Sequence, residues 1–237
     1  LPVVYFFRKN DSLLHFVKPV FERRVFLKTC TNGSSELMTN LSMSLVNALY
    51  NLQLMKIAGE NGVAAYGAVM YVNFIFVATF LGYAIGCAPV ISYHYGAGNH
   101  AELKNLYKKS MSIILVWGVI LFGAAQLLAP VLSKIFVGYN TGLYAMTLHG
   151  FRVYAIAFLI IGINIFGSSF FTALNNGLIS AVISFLRTLV FQVIMVLTLP
   201  LWFGINGIWS AISIAEALTL IMTTTFFVRQ KDKYHYL

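Results

Sequence analysis

Six runs of predominantly apolar residues follow one another along this chain, at roughly 34–57, 63–88, 110–133, 147–171, 179–201 and 206–228. A helix needs about 20 such residues, each rising 1.5 Å, to cross a hydrocarbon core. The spacing therefore predicts an all-α fold, a polytopic membrane protein built as a six-transmembrane-helix bundle. Composition agrees: 59% of the 237 residues are hydrophobic and only 10% are charged, against roughly 25% charged in an average soluble domain. With a mean hydropathy of +0.80 as well, a soluble globular protein is excluded. Turn signals fall between the runs: Gly59-Glu60-Asn61-Gly62, Asn175-Asn176-Gly177, and Gly204 with Gly207.

The formal net charge is +9, yet the basic residues are scattered between apolar runs and form no stripe suited to nucleic acid. They read instead as topology signals. Arg8, Lys9, Lys18, Arg23, Arg24 and Lys28 precede the first span; Lys104, Lys108 and Lys109 lie between the second and third; Arg229, Lys231 and Lys233 follow the sixth. The opposite side holds only Lys56, Lys134 and Arg152. Twelve against three places both ends of the chain in the cytoplasm by the positive-inside rule. Residues 1–7, Leu-Pro-Val-Val-Tyr-Phe-Phe, have no basic region ahead of them and read as the tail of a helix already under way. The sequence is thus expected to be the C-terminal part of something longer. Residues 229–237 are expected to form a basic cytoplasmic tail.

Sites that would carry other chemistry do not emerge. Cys30 and Cys87 lie far apart with no metal-ligand spacing around either. Gly96-Ala97-Gly98-Asn99 lacks the lysine and hydroxyl ending of a phosphate loop. Asn99 followed by Glu102 instead predicts a capping box opening a short surface helix, 101–110. Neither a zinc-protease motif nor a nucleophile–histidine–acid set can be placed at one depth, and an enzyme is not expected.

Polar residues inside the spans are more informative, because an ionisable group there costs roughly 2.5–3.5 kcal/mol on insertion scales. Glu36 opens the first span, and Asn40, Ser44, Asn47 and Asn51 follow on the same helical face. Two readings stand side by side: a cavity wall in which Glu36 holds a proton or a cation, or a near-surface carboxylate with interhelical amide hydrogen bonds. Arg187 in the fifth span and Glu216 in the sixth are expected to form an interhelical ion pair; the alternative is that Glu216 titrates with Arg187 as its tuner. Asn164 lies mid-span between Gly162 and Gly167, as a packing amide or as a ligand for substrate or cation. Ser180, Ser184, Thr188, Gln192 and Met195 form a stripe on the fifth span. Together the first, fourth and fifth spans could enclose an apolar, aromatic cavity with a few polar groups, suited to bulky organic substrates.

Several stretches resemble a known family. Gly59-Glu60-Asn61-Gly62-Val63-Ala64-Ala65-Tyr66-Gly67, then Gly82 and Gly86, then Pro89 through Asn99, are similar to the C-terminal half of MATE multidrug exporters. Asn32-Gly33-Ser34-Ser35-Glu36 and Gly204-Ile205-Asn206-Gly207-Ile208-Trp209 fit the bacterial branch containing the MepA-like proteins. The resemblance implies twelve spans in two six-helix lobes, a V-shaped cavity between them, and exchange of cytoplasmic organic cations and drugs for Na⁺ or H⁺ across the bacterial inner membrane. It makes residues 1–31 the end of a sixth helix plus the connection between lobes, residues 32–228 the C-terminal lobe, and the missing N-terminal lobe its partner. It implies no cofactor besides the coupling ion. Some branches place a Glu about ten residues after the Gly opening the seventh helix, where this chain has Met43, and an Asp in the tenth, where it has Asn164. A flippase for lipid-linked saccharides from the same superfamily is the alternative, although such cavities carry more cationic residues to meet pyrophosphate.

Overall fold

The computed structural model describes residues 21–236, except for the side chains of Thr31, Asn32, Ser34, Ser35, Glu36, Met38 and Thr39. The regular structure among these residues is helical: α1 (Arg23–Gly96), α2 (His100–Val137), α3 (Thr141–Tyr154), α4 (Phe158–Ala173), α5 (Gly177–Phe185), α6 (Gln192–Phe203) and α7 (Ile205–Tyr234). A 3-10 turn at Ala155–Ala157 runs α3 into α4, and a π turn at Leu186–Phe191 runs α5 into α6. Each pair therefore makes one continuous span, Thr141–Ala173 and Gly177–Phe203. The chain divides into two compact units, Leu1–Cys30 and Thr31–Leu237. Within the first, α1 already begins at Arg23; the hydrophobic stretch at residues 1–7 lies outside the described residues.

Among the described residues, five segments are long and apolar enough to cross a membrane, and one of them is long enough to do so twice. Asn40–Gly96 has 57 residues, about 85 Å if straight and far more than a bilayer requires. It breaks at Gly59, whose φ of 62° and ψ of −154° belong to a region essentially reserved for glycine. Tyr50 and Tyr66, on opposite sides of the break, stack with ring centroids 5.0 Å apart. The Tyr66 hydroxyl also donates to Asn47 Oδ1 at 3.1 Å, so the two arms lie side by side. Gly204 (φ 54°, ψ −133°) makes the equivalent break between α6 and α7. The four-residue loop expected after the first span is thus compressed to one residue, because a single glycine supplies the whole reversal.

Asparagine opens three helices. Asn99, Asn140 and Asn176 accept from the backbone amides of Glu102, Leu143 and Ile179 at 3.1, 3.1 and 3.3 Å, each satisfying a donor left free in the first turn. Only half of the expected capping box forms, since the Glu102 carboxylate accepts from the Asn105 amide instead. Nor is there a separate surface helix over 101–110. Nothing between Ser110 and Met111 breaks the chain, and α2 runs on unbroken from His100.

α4 is the axis of the bundle. A Cβ at Gly162 would lie 2.4 Å from the Phe80 ring, and one at Gly167 would lie 2.4 Å from Thr223 Cγ2, so α1 and α7 approach its backbone directly. At the end holding Asn99, an aromatic cluster of Tyr107, Phe170, Phe171 and Phe227 fills the bundle. The expected basic tail is largely a continuation of α7 to Tyr234. The backbone then turns through a left-handed His235 (φ 55°), and Tyr236 folds back into the aromatic cluster. Its hydroxyl donates to Phe227 O at 2.9 Å, and burial pushes the phenol pKa upward.

Candidate functional site

The mid-span polar residues converge on Glu216. Its carboxylate, on α7, is 1% exposed. Arg187, in the π turn, donates from Nε to Oε1 at 2.8 Å and to Oε2 at 3.1 Å. Asn164, on α4 and fully buried, donates from Nδ2 to Oε2 at 2.7 Å and to the Glu216 carbonyl at 3.0 Å. One carboxylate therefore ties three spans together. The π turn has a clear local consequence: an extra residue in the helical turn changes the facing of the side chains that follow it, at the point where a buried Arg must meet a fixed acid.

Burying a charge costs several kcal/mol unless it is paired and hydrogen-bonded. Here the acid receives three side-chain donor contacts, which satisfies it. Among the described residues, Asn164 Oδ1 and the Tyr50 hydroxyl are buried without a hydrogen-bond partner. Tyr50 and Tyr154 lie within electrostatic reach of Glu216, and Tyr154 also of Arg187. The centre thus comprises Asn164, Arg187 and Glu216 with Tyr50, Tyr66 and Tyr154 beside them. Sequence alone singles out none of the three tyrosines as a site residue, and Tyr66 enters only as part of the Gly59–Gly67 stretch. The available signal was their amphipathic character inside apolar spans, where a hydroxyl needs a partner.

The row on α1 behaves differently. Asn40, Ser44, Asn47 and Asn51 are all exposed, on a helix whose other exposed residues include Leu41, Met43, Leu45 and Leu52. Asn47 bridges to Tyr66 and so links this row to the tyrosines. The Glu36 side chain lies outside the described residues. Gln192 opens α6 half-buried, next to the π turn.

The stripe on the fifth span does not line an open cavity over most of its length. Ser180 and Ser184 are buried against α4, with Ser168 Oγ 2.9 and 2.8 Å from their hydroxyls and Thr172 Oγ1 2.6 Å from Ser180. Thr188 donates to the Ser184 carbonyl. These hydroxyls satisfy one another and fasten α5 to α4, since a hydroxyl in an apolar medium takes whatever partner is nearest.

The model of the MatE family matches residues 37–198. This chain belongs to the MatE family. Solved structures agree at the level of fold. An outward-facing multidrug resistance MATE family transporter of the MOP superfamily superposes with a TM-score of 0.85 at 21% identity, over 98% of this chain and 52% of that one. A MATE in complex with MaL6 gives 0.84 at 20% identity, over 97% and 53%. A MOP superfamily transporter from Pyrococcus furiosus, whose reverse binding-pocket polarity suggests a different function, gives 0.85 at 20%, over 96% and 52%. No curated protein matches the chain. The chain spans about half the length of these MATE structures. It is a membrane transporter-family chain, and its exposed amide row belongs to a MatE fold that is twice as long in its solved relatives.

Proposed function

We propose that this chain is the C-terminal half of a MATE exporter that exchanges cytoplasmic organic cations and related drugs for Na⁺ or H⁺, its exposed amide row facing the other half across the transport cavity. The observation that carries this reading is the row Asn40, Ser44, Asn47 and Asn51, exposed among the apolar side chains of Leu41, Met43, Leu45 and Leu52, in a chain half the length of its structural neighbours. Several amides on one stripe are costly against lipid and useful against a wet cavity. Both termini then lie in the cytoplasm, which the excess of Lys and Arg on that side supports, and the membrane is a bacterial inner membrane.

In this reading the Arg187–Glu216–Asn164 centre holds the lobe together, while Glu36, at the head of the amide row, carries the exchangeable cation. Binding of a proton or Na⁺ there and binding of drug favour different orientations of the two lobes, which couples them. A saccharide-lipid flippase needs free cationic groups to meet pyrophosphate. The deep cation of this chain, Arg187, is already engaged by Glu216, which favours the exporter.

The test is dye accumulation in cells producing the complete protein. The expected result is lower ethidium loading, lost on addition of an uncoupler or on removal of Na⁺. Loading unchanged by both treatments, or build-up of lipid-linked precursor on deletion, overturns the proposal.

A further inference from the structure

A groove on the outside of the bundle, between the second arm of α1 and α2, is unrelated to the amide row or the Glu216 centre. It is a cavity of about 260 Å³ lined by Thr79, Phe80, Tyr83, Ile113, Ile114 and Trp117. Two polar rungs hold its ends. Tyr83 donates to Ser110 Oγ at 3.0 Å, and Trp117 Nε1 donates to Thr79 Oγ1 at 2.9 Å. Both rungs satisfy their own polar groups, so what they offer between them is hydrocarbon. From Ser110 to Trp117 the groove runs about 10 Å along α2, some two-thirds of the depth of one leaflet's hydrocarbon.

Its two ends differ in charge. Towards the start of α2, Lys109 is exposed and one helical turn before Ile113, on the groove's margin, while Lys104 and Lys108 project from other faces of the helix. The carboxylate at that end of α2, Glu102, is occupied by Asn105. On the facing arm, Gly86 is exposed with nothing within 4 Å of where a Cβ would stand. It shares the helical face of Thr79 and Tyr83 and leaves the way open from groove to headgroup level. Tyr93, two turns further on, is exposed as interfacial aromatic residues are.

We infer that this groove is a binding site for an anionic phospholipid, one acyl chain lying between Phe80 and Ile113 and the headgroup phosphate meeting Lys109. The match is one of charge and shape: an apolar slot about two-thirds of a leaflet deep, closed at its inner end by Trp117 and bordered at its other end by Lys109. The site depends on membrane insertion and not on the transported substrate.

Trp117 in the groove reports occupancy directly. The complete protein is reconstituted into phosphatidylcholine vesicles containing dibrominated phosphatidylcholine or dibrominated phosphatidylglycerol. The signal of Trp117 is taken as the difference from a Trp117→Phe variant. Quenching should show about a fivefold preference for phosphatidylglycerol, the effect of one lysine at a headgroup. The preference should fall to about one in Lys109→Gln, and Gly86→Leu should reduce quenching by both lipids. Equal quenching by both lipids in the parent protein, or a preference that survives Lys109→Gln, overturns the inference. So does absence of quenching by either lipid, which means protein covers the groove. Native mass spectrometry of the detergent-purified protein gives a check that does not use Trp117→Phe: retained phosphatidylglycerol should drop in Lys109→Gln, and equal retention overturns the site.

Discussion

Arg187 Nε donates to both carboxylate oxygens of Glu216, at 2.8 and 3.1 Å, across two spans that the chain connects through Gly204. The acid is buried and the base nearly so, so neither charge has water to fall back on. Breaking such a pair from one side strands the other charge and costs about 3–5 kcal/mol, whereas removing both is often close to neutral. Glu216→Gln and Arg187→Met should each cut the yield of monodisperse protein and lower its melting temperature. The double variant should recover most of the loss. Additive losses in thermal unfolding of the detergent-solubilised protein would show that the two residues act independently.

Glu36 is expected to behave in the opposite way. It precedes Asn40 by one helical turn at the head of the amide row, and the proposed exchange makes it the group that carries the cation. Glu36→Gln should leave expression and melting unchanged while abolishing coupled dye efflux. If efflux persists, or the protein fails to accumulate, Glu36 has a different role.

How far these residues could be read from sequence follows from what sets their positions. The spans are a property of local apolarity over about 20 residues, and the break at Gly59 and the caps at Asn99 and Asn176 are local as well, which is why turn chemistry located them. That Arg187 and Glu216 are both intramembrane was legible from their cost in lipid. That Asn164 shares the same carboxylate was not, because it depends on how α4 is rotated against α7, which the contacts of Gly162 and Gly167 decide. The stripe Ser180, Ser184, Thr188 was correctly seen as one face. Its partner Ser168 lies in another span, and helical spacing alone does not distinguish a face turned to water from one turned to a neighbouring hydroxyl.

The reversal at Gly204 rests on a backbone conformation that other residues avoid. At φ 54° and ψ −133° a Cβ is strained by about 1–3 kcal/mol. Asparagine, which tolerates the left-handed helical region better than most residues, gains nothing here because ψ is wrong. Gly204→Ala and Gly204→Asn should therefore lower the melting temperature to a similar degree. A much milder effect for asparagine would place Gly204 in the ordinary left-handed region.

Tyr236 closes the bundle at the end where α2 begins. Its ring is fully buried against Tyr107 and Phe170, and its hydroxyl takes the Phe227 carbonyl at 2.9 Å. The left-handed His235 aims it there, and Tyr234 beside it accepts from the Asn176 amide at 2.9 Å. The apolar contribution and the hydrogen bond can be separated. Tyr236→Phe keeps the ring and should cost about 1 kcal/mol, the net value of one hydrogen bond. Tyr236→Ala leaves a cavity among Tyr107, Phe170 and Phe227 and should cost about 3–5 kcal/mol. The measurement is thermal or denaturant unfolding of the complete protein, with dye efflux assayed alongside. If Tyr236→Ala unfolds like the parent protein, the aromatic cluster does not depend on this residue, and α7 is held by Phe227 and the Glu216 centre alone.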